Sequence, residues 1–133
     1  MENRYLFRGK TISGNWVQGL LTSKDDKWYI SNKAGAPFAY EIRPESICQC
    51  TGLKDKNGKL IWENDIVNCL DEECCGYIGW NESEAGFYFY ALLEDGKFEE
   101  EHIYDYQDCM EVIGNSFDNP ELLEVNCFQN GNS

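Results

Sequence analysis

The chain has 133 residues, 42% of them hydrophobic and 14% aromatic, with a net charge of −13. That length suits one domain that buries a core without cross-links, and the apolar content excludes a disordered chain. No apolar run approaches the roughly 18 residues a membrane span needs, and Met1-Glu2-Asn3-Arg4-Tyr5 lacks the apolar core of a secretory signal, which predicts a cytoplasmic location without membrane contact.

Taken in order, Arg4 to Arg8 reads as a first strand and Lys10 to Asn15 as a loop. Trp16 to Leu21 is a second strand, where Gly19 marks a bulge or close backbone approach. Ser23 to Lys27 is a polar turn before a short strand at Trp28-Tyr29-Ile30. Ser31 to Pro37 is a loop, and Phe38 to Ile42 is extended up to the stop at Pro44. Ile47 to Cys50 leads into the densest turn chemistry of the chain, Thr51 to Lys59. There Asn57-Gly58 predicts a two-residue type I′ hairpin turn, because both residue types tolerate positive φ. Leu60-Ile61-Trp62 is the return strand, Glu63-Asn64-Asp65 a polar corner, and Ile66-Val67 opens a strand reaching about Leu70.

In the second half, Asp71 to Cys75 is an acidic connection, Gly76 to Trp80 a strand, and Asn81 to Ala85 a turn. Gly86 to Leu92 is the most strand-like segment and carries aromatics on both faces. One face must meet the core, the other a second sheet or a partner. Asp95-Gly96 predicts another primed turn. Phe98 to Asp108 fits either a strand with a loop or a short helix. Cys109 to Ile113 is a last strand, and Asn119-Pro120-Glu121 has the cap, proline and acid of a helix start. The tail from Asn126 is polar and reads as frayed.

Charge is unevenly spread. Residues 1–67 hold ten Lys/Arg and eight Asp/Glu, whereas residues 68–133 hold Lys97 alone against sixteen acids. Such an acidic half repels phosphate backbones, which disfavours direct nucleic-acid binding, and it disfavours anionic membranes equally. The bland reading is a solvated, solubilising face. The odd count of seven cysteines argues against a secreted disulfide framework and reads as reduced thiols packed as small hydrophobes.

Three blocks carry a family resemblance. Cys50 to Lys59 followed by Ile61-Trp62-Glu63-Asn64-Asp65-Ile66-Val67 resembles the signature of the YopX-like proteins of phages and prophages. Phe7-Arg8-Gly9-Lys10 with Gly14 to Gly19 resembles the opening of that family, and Glu111 to Asn115 with Asp118 to Leu123 its close. The chain departs at Cys50, where the family usually has an aromatic residue, and at Asn64, where it usually has glycine. The resemblance implies no activity, substrate or catalytic residue that could be carried over.

Candidate chemistry is sparse. Cys48, Cys50, Cys69, Cys74 and Cys75 with His102 could be gathered into a thiolate metal site, but the spacings are irregular for structural zinc. Asp65, Asp105 and Asp108 supply carboxylates; at Asp65 a backbone hydrogen bond within the turn is the favoured role. His102 has no triad partner in a recognisable pattern, and no phosphate-binding glycine loop is present. Trp16, Trp28, Trp62, Trp80 and the Phe87–Tyr90 run read as core and interface rather than a base-stacking platform, which would need a basic groove.

The expected fold is therefore mainly β, a small barrel-like or folded antiparallel sheet with one or two short helices. A single domain over residues 1–125 and a tail over 126–133 are expected. The expected role is a phage or prophage accessory protein that binds a protein partner or a second copy of itself, without cofactor or metal and without an assigned catalytic residue. Two other readings are an acidic mimic of DNA that occupies a host nucleic-acid-binding protein, and a small carboxylate- or metal-dependent enzyme.

Overall fold

A computed structural model describes residues 5–31, 39–69 and 74–123. Strand makes up 56% of these residues, against about 20–25% in an average globular domain, so the chain is mainly β. The loop expected at 31–37 and the tail from 126 lie wholly or mostly outside the described residues, as do the first three residues of the acidic connection expected over Asp71 to Cys75; Cys74 and Cys75 open a strand instead.

The strands are β1 (Phe7–Lys10), β2 (Trp16–Lys24), β3 (Lys27–Ser31), β4 (Tyr40–Ile42), β5 (Cys48–Lys54), β6 (Leu60–Trp62), β7 (Asp65–Cys69), β8 (Cys74–Asn81), β9 (Gly86–Leu92), β10 (Phe98–Glu101) and β11 (Glu111–Asn115). They form a sheet in the order β4-β3-β2-β1-β5-β6 and another in the order β10-β9-β8-β7-β11. Both sheets are open and antiparallel, so of the two expected forms the folded sheet is found and the closed barrel is not. Where one or two short helices were expected, the described residues hold short 3-10 turns at Pro44–Ser46, Ile103–Asp105, Gln107–Cys109 and Pro120–Leu123, and no α-helix occurs among them. At the last of these, the Asn119 side chain turns back toward β11. Its Oδ1 accepts from the Asn115 N–H at 3.2 Å.

The chain divides into two compact units between Gly52 and Leu53, inside β5. In the first unit, β2 and β3 pair Lys24 with Lys27, leaving the two-residue turn Asp25-Asp26 with both φ values positive. This is the hairpin that most closely meets the type I′ requirement. Ile30, Ile42, Cys48 and Cys50 are buried. Gly9 is obligatory here, because a Cβ on it would run into the Ile42 side chain.

The second unit packs Ile61, Val67, Cys69, Ile78, Phe89, Ala91, Ile103 and Met110 into one core. The Asn57-Gly58 hairpin forms where expected but with a different turn. Asp55 N–H donates to Lys59 O at 2.8 Å and Gly58 N–H to Asp55 O at 3.0 Å, and in this turn only Gly58 has positive φ. That is a three-residue loop, a type I turn closed by a left-handed glycine, rather than a two-residue primed turn. Asp95-Gly96 repeats it: Leu93 N–H donates to Lys97 O at 2.8 Å and Gly96 N–H to Leu93 O at 3.0 Å. In both loops an aspartate carboxylate takes backbone N–H groups, Asp55 from Asn57 and Lys59, Asp95 from Lys97. These bonds select the type I form over the primed one.

Candidate functional site

Strand alternation sorts β8, β9 and β10 into two faces. Ile78 pairs with Phe89, and Gly76 with Ala91, on the core face. The opposite face carries Tyr77 beside Tyr90, Tyr88, and from β10 Phe98 and Glu100, because Tyr90 lies across from Glu100 and Leu92 across from Phe98. The two-faced aromatic strand read from the sequence is thus resolved: Phe87 and Phe89 go inward, Tyr88 and Tyr90 to the other side.

On that face Tyr77 stacks on Tyr90 with ring centroids 5.1 Å apart, and Phe98 meets Tyr77 edge-on at 5.0 Å. Gly79 makes room for this stack, since a Cβ there would press on the Tyr90 and Tyr77 rings. Beyond the stack, Tyr88 tilts against the His102 ring at 5.2 Å. Glu84, Tyr88, Glu100 and His102 together line a cavity of about 210 Å³. Glu100 is fixed by hydrogen bonds from Asn81 Nδ2 and, at 3.3 Å, from Tyr90 Oη. Burial, then Glu84 and Glu100, hold the Tyr88 phenol above its ordinary pKa, and burial followed by Glu100 does the same to Tyr90. Both phenols therefore stay neutral around pH 7, donors with electron-rich ring faces next to two carboxylates. Chemically such an arrangement can receive a cation: carboxylates to pair with it and rings to lie over it.

A larger depression of about 430 Å³ lies at the β2–β3 turn, lined by Ser23, Lys24, Asp25, Asp26 and Trp28. It mixes both charge signs around a hairpin tip, and no ring pair or fixed carboxylate converges there.

The other sequence candidates lie elsewhere. Asp65 is 1% exposed and accepts the Trp62 N–H at 2.8 Å, the turn-stabilising role expected of it. Asp105 and Asp108 are exposed in the 3-10 turns after β10. Asp65 does not line the cavity that holds His102, where the carboxylates beside the imidazole are those of Glu84 and Glu100. Among the described residues, no three His, Cys, Asp or Glu side chains are arranged to hold a metal ion. Cys48 and Cys50 are buried in β5, the Cys48 thiol donating to Ser46 O at 3.4 Å. One expectation needs correction: Cys75 is disulfide-bonded, not a reduced thiol.

Two features escaped the sequence reading. Glu84 and Glu100 are anonymous among sixteen acids in their half, and only the β9–β10 register brings Glu100 beside Tyr90 and Tyr88. Asp55, 6% exposed, takes a third backbone donor from Val112, far along the chain.

No helix among the described residues is long and apolar enough to cross a membrane. No curated protein matches the chain. A family model described as YopX protein matches residues 8–124 and so takes in both compact units. With that match over most of its length, and with all three signature blocks inside or at the edge of it, the chain belongs to the YopX family.

Proposed function

We propose that this protein is a phage or prophage accessory factor that works by binding another protein, and that it grips a basic segment of its partner on the Tyr88–Tyr90 face of the five-stranded sheet. The observation that carries this reading is the cavity lined by Glu84, Tyr88, Glu100 and His102. It would accept a lysine or arginine side chain, the carboxylates pairing with the charge and the Tyr88 ring lying against it. Exposed pairs of this kind contribute about 0.2–1 kcal/mol each, and a cation over a ring about 0.5–1 kcal/mol. Such values suit a weak, reversible contact reinforced by the neighbouring exposed aromatic Phe98 on the same face. The net charge of −13 supports fast, salt-sensitive association with a basic partner.

The test is titration of the full chain with a short arginine- and lysine-bearing peptide, followed by intrinsic fluorescence at several salt concentrations. Saturable binding that weakens severalfold in the Glu84→Gln/Glu100→Gln variant is expected. An Asp105→Asn/Asp108→Asn variant, which removes the same charge elsewhere, should lose much less. Equal losses in the two variants would reduce the effect to net charge and overturn the site. Light scattering on the same samples distinguishes a second copy of the chain from a foreign partner.

A further inference from the structure

We propose that Cys69, Cys74 and Cys109 form a thiol–disulfide exchange site that takes a low-molecular-weight disulfide and closes it out as an internal disulfide on Cys69. Three parts of the second unit build this site. Cys69 ends β7 and lies directly across from Cys74, the first residue of β8. Directly opposed residues on antiparallel strands have Cβ atoms about 4.5–5.5 Å apart, near the separation a disulfide requires. Cys109 arrives from the 3-10 turn Gln107–Cys109, and its thiol donates to Tyr106 O at 3.3 Å. The Cys69 thiol donates to the same oxygen at 3.5 Å. One carbonyl therefore gathers two sulfurs, and strand register brings the third.

The three positions differ in access. Cys69 is fully buried, whereas Cys74 and Cys109 are half-buried at the margin of the core. The Cys74 sulfur, then burial, then the Cys109 sulfur push the Cys69 thiol well above the ordinary range. The half-buried thiols are thus the points of entry and Cys69 is the resolving group.

The thiolate of Cys74 or Cys109 attacks one sulfur of the external disulfide; a sulfur–sulfur bond to the protein forms, the external bond breaks, and one small thiolate leaves and takes a proton from water. Cys69 gives its proton to solvent and attacks the protein sulfur of that mixed disulfide, expelling the second small thiol. Two electrons pass from the protein pair to the reagent, which ends as two thiols. Because Cys69 must ionise, the second step quickens as pH rises. Cys75 follows Cys74 on the opposite face of β8 and is already disulfide-bonded, so it serves as an internal reference.

The experiment exposes the folded full chain to glutathione disulfide, alkylates the remaining thiols and maps the peptides by mass. The expected product has lost two hydrogens, joins Cys69 to Cys74 or Cys109, and retains only a trace of glutathione. Cys69→Ser should instead accumulate the glutathione adduct on Cys74 or Cys109 as its main species. A lasting adduct on the unaltered chain, an equal response in Cys69→Ser, or no reaction until the chain is unfolded would each overturn the proposal. Circular dichroism checks that Cys69→Ser folds; if it does not, the map of the unaltered chain decides alone.

Discussion

Asp55 and Val112 stand 57 positions apart, and Asp55 Oδ2 accepts the Val112 N–H at 3.0 Å. The other oxygen of the same carboxylate holds Asn57 and Lys59, both at 2.9 Å. One side chain thus shapes the hairpin loop and ties it to β11. Asp55→Ala leaves all three N–H groups without this acceptor. A single hydrogen bond to a charged group contributes about 1.5–3 kcal/mol, so a loss of at least that size is expected in urea unfolding, with the midpoint falling and the slope unchanged.

The same carboxylate gives the stability a pH dependence. Burial opposes its ionisation, but the N–H groups of Val112, Lys59 and Asn57 and the charge of Lys59 outweigh that and hold it below the ordinary 3.8. A lowered folded value means the contribution is present above 3.8 and is lost as pH falls through the folded value. The stability gap between the unaltered chain and Asp55→Asn should therefore be widest near neutrality and shrink in strong acid, as read from unfolding curves across that range.

Two glycines should respond very differently to alanine. A Cβ on Gly76 runs into the backbone carbonyl of Tyr90, which no rotamer change relieves, whereas nothing lies within 4 Å of one on Gly58. Gly58 has φ of +82°, so Gly58→Ala carries only the left-handed cost of about 1–2 kcal/mol. Gly76→Ala must part β8 from β9, and a loss of cooperative unfolding or of soluble expression is expected. Thermal scans of the two variants side by side check this.

The tyrosines of the sheet face offer a spectroscopic handle. Tyr77 is raised above 10.0 by burial alone, while Tyr88 and Tyr90 owe their shifts first to burial and then to carboxylates that include Glu100. Glu100→Gln should move Tyr88 and Tyr90 part of the way back and leave Tyr77 in place. Ultraviolet titration through the alkaline range resolves this when each tyrosine is replaced in turn by phenylalanine.

Much of the fold was legible because strand patterning and punctuation agreed. Gly86 to Leu92 came out with the bounds read for it, and the return strand Leu60–Trp62 likewise. Turn class was less legible. Asn57-Gly58 and Asp95-Gly96 signal primed turns, yet the aspartate carboxylates divert both loops to the type I form, a bond that residue pairs alone do not reveal. Phe98 to Asp108 fitted a strand with a loop or a short helix, and Phe98–Glu101 is a strand: its exposed residues lack apolar alternation, and pairing with β9 sets its state. The candidate site was half legible. The two-faced strand was evident, but the meeting of Glu84, Glu100 and His102 depends on register and on a turn. Cys109 was equally hidden, because a 3-10 turn rather than the predicted strand delivers it to Cys69.

β10 has one further consequence, for how the molecule avoids its own kind. It is the outermost strand of its sheet and lays Glu99, Glu100 and Glu101 in succession along a rim whose backbone groups could template another chain. Three like charges in a row repel an identical rim, which keeps edge-to-edge stacking at bay. The opposite rim, β11, is broken by a bulge between Val112 and Gly114. Replacing the three glutamates by glutamines removes the guard on one side only, so fibrillar growth of that variant would begin at β10.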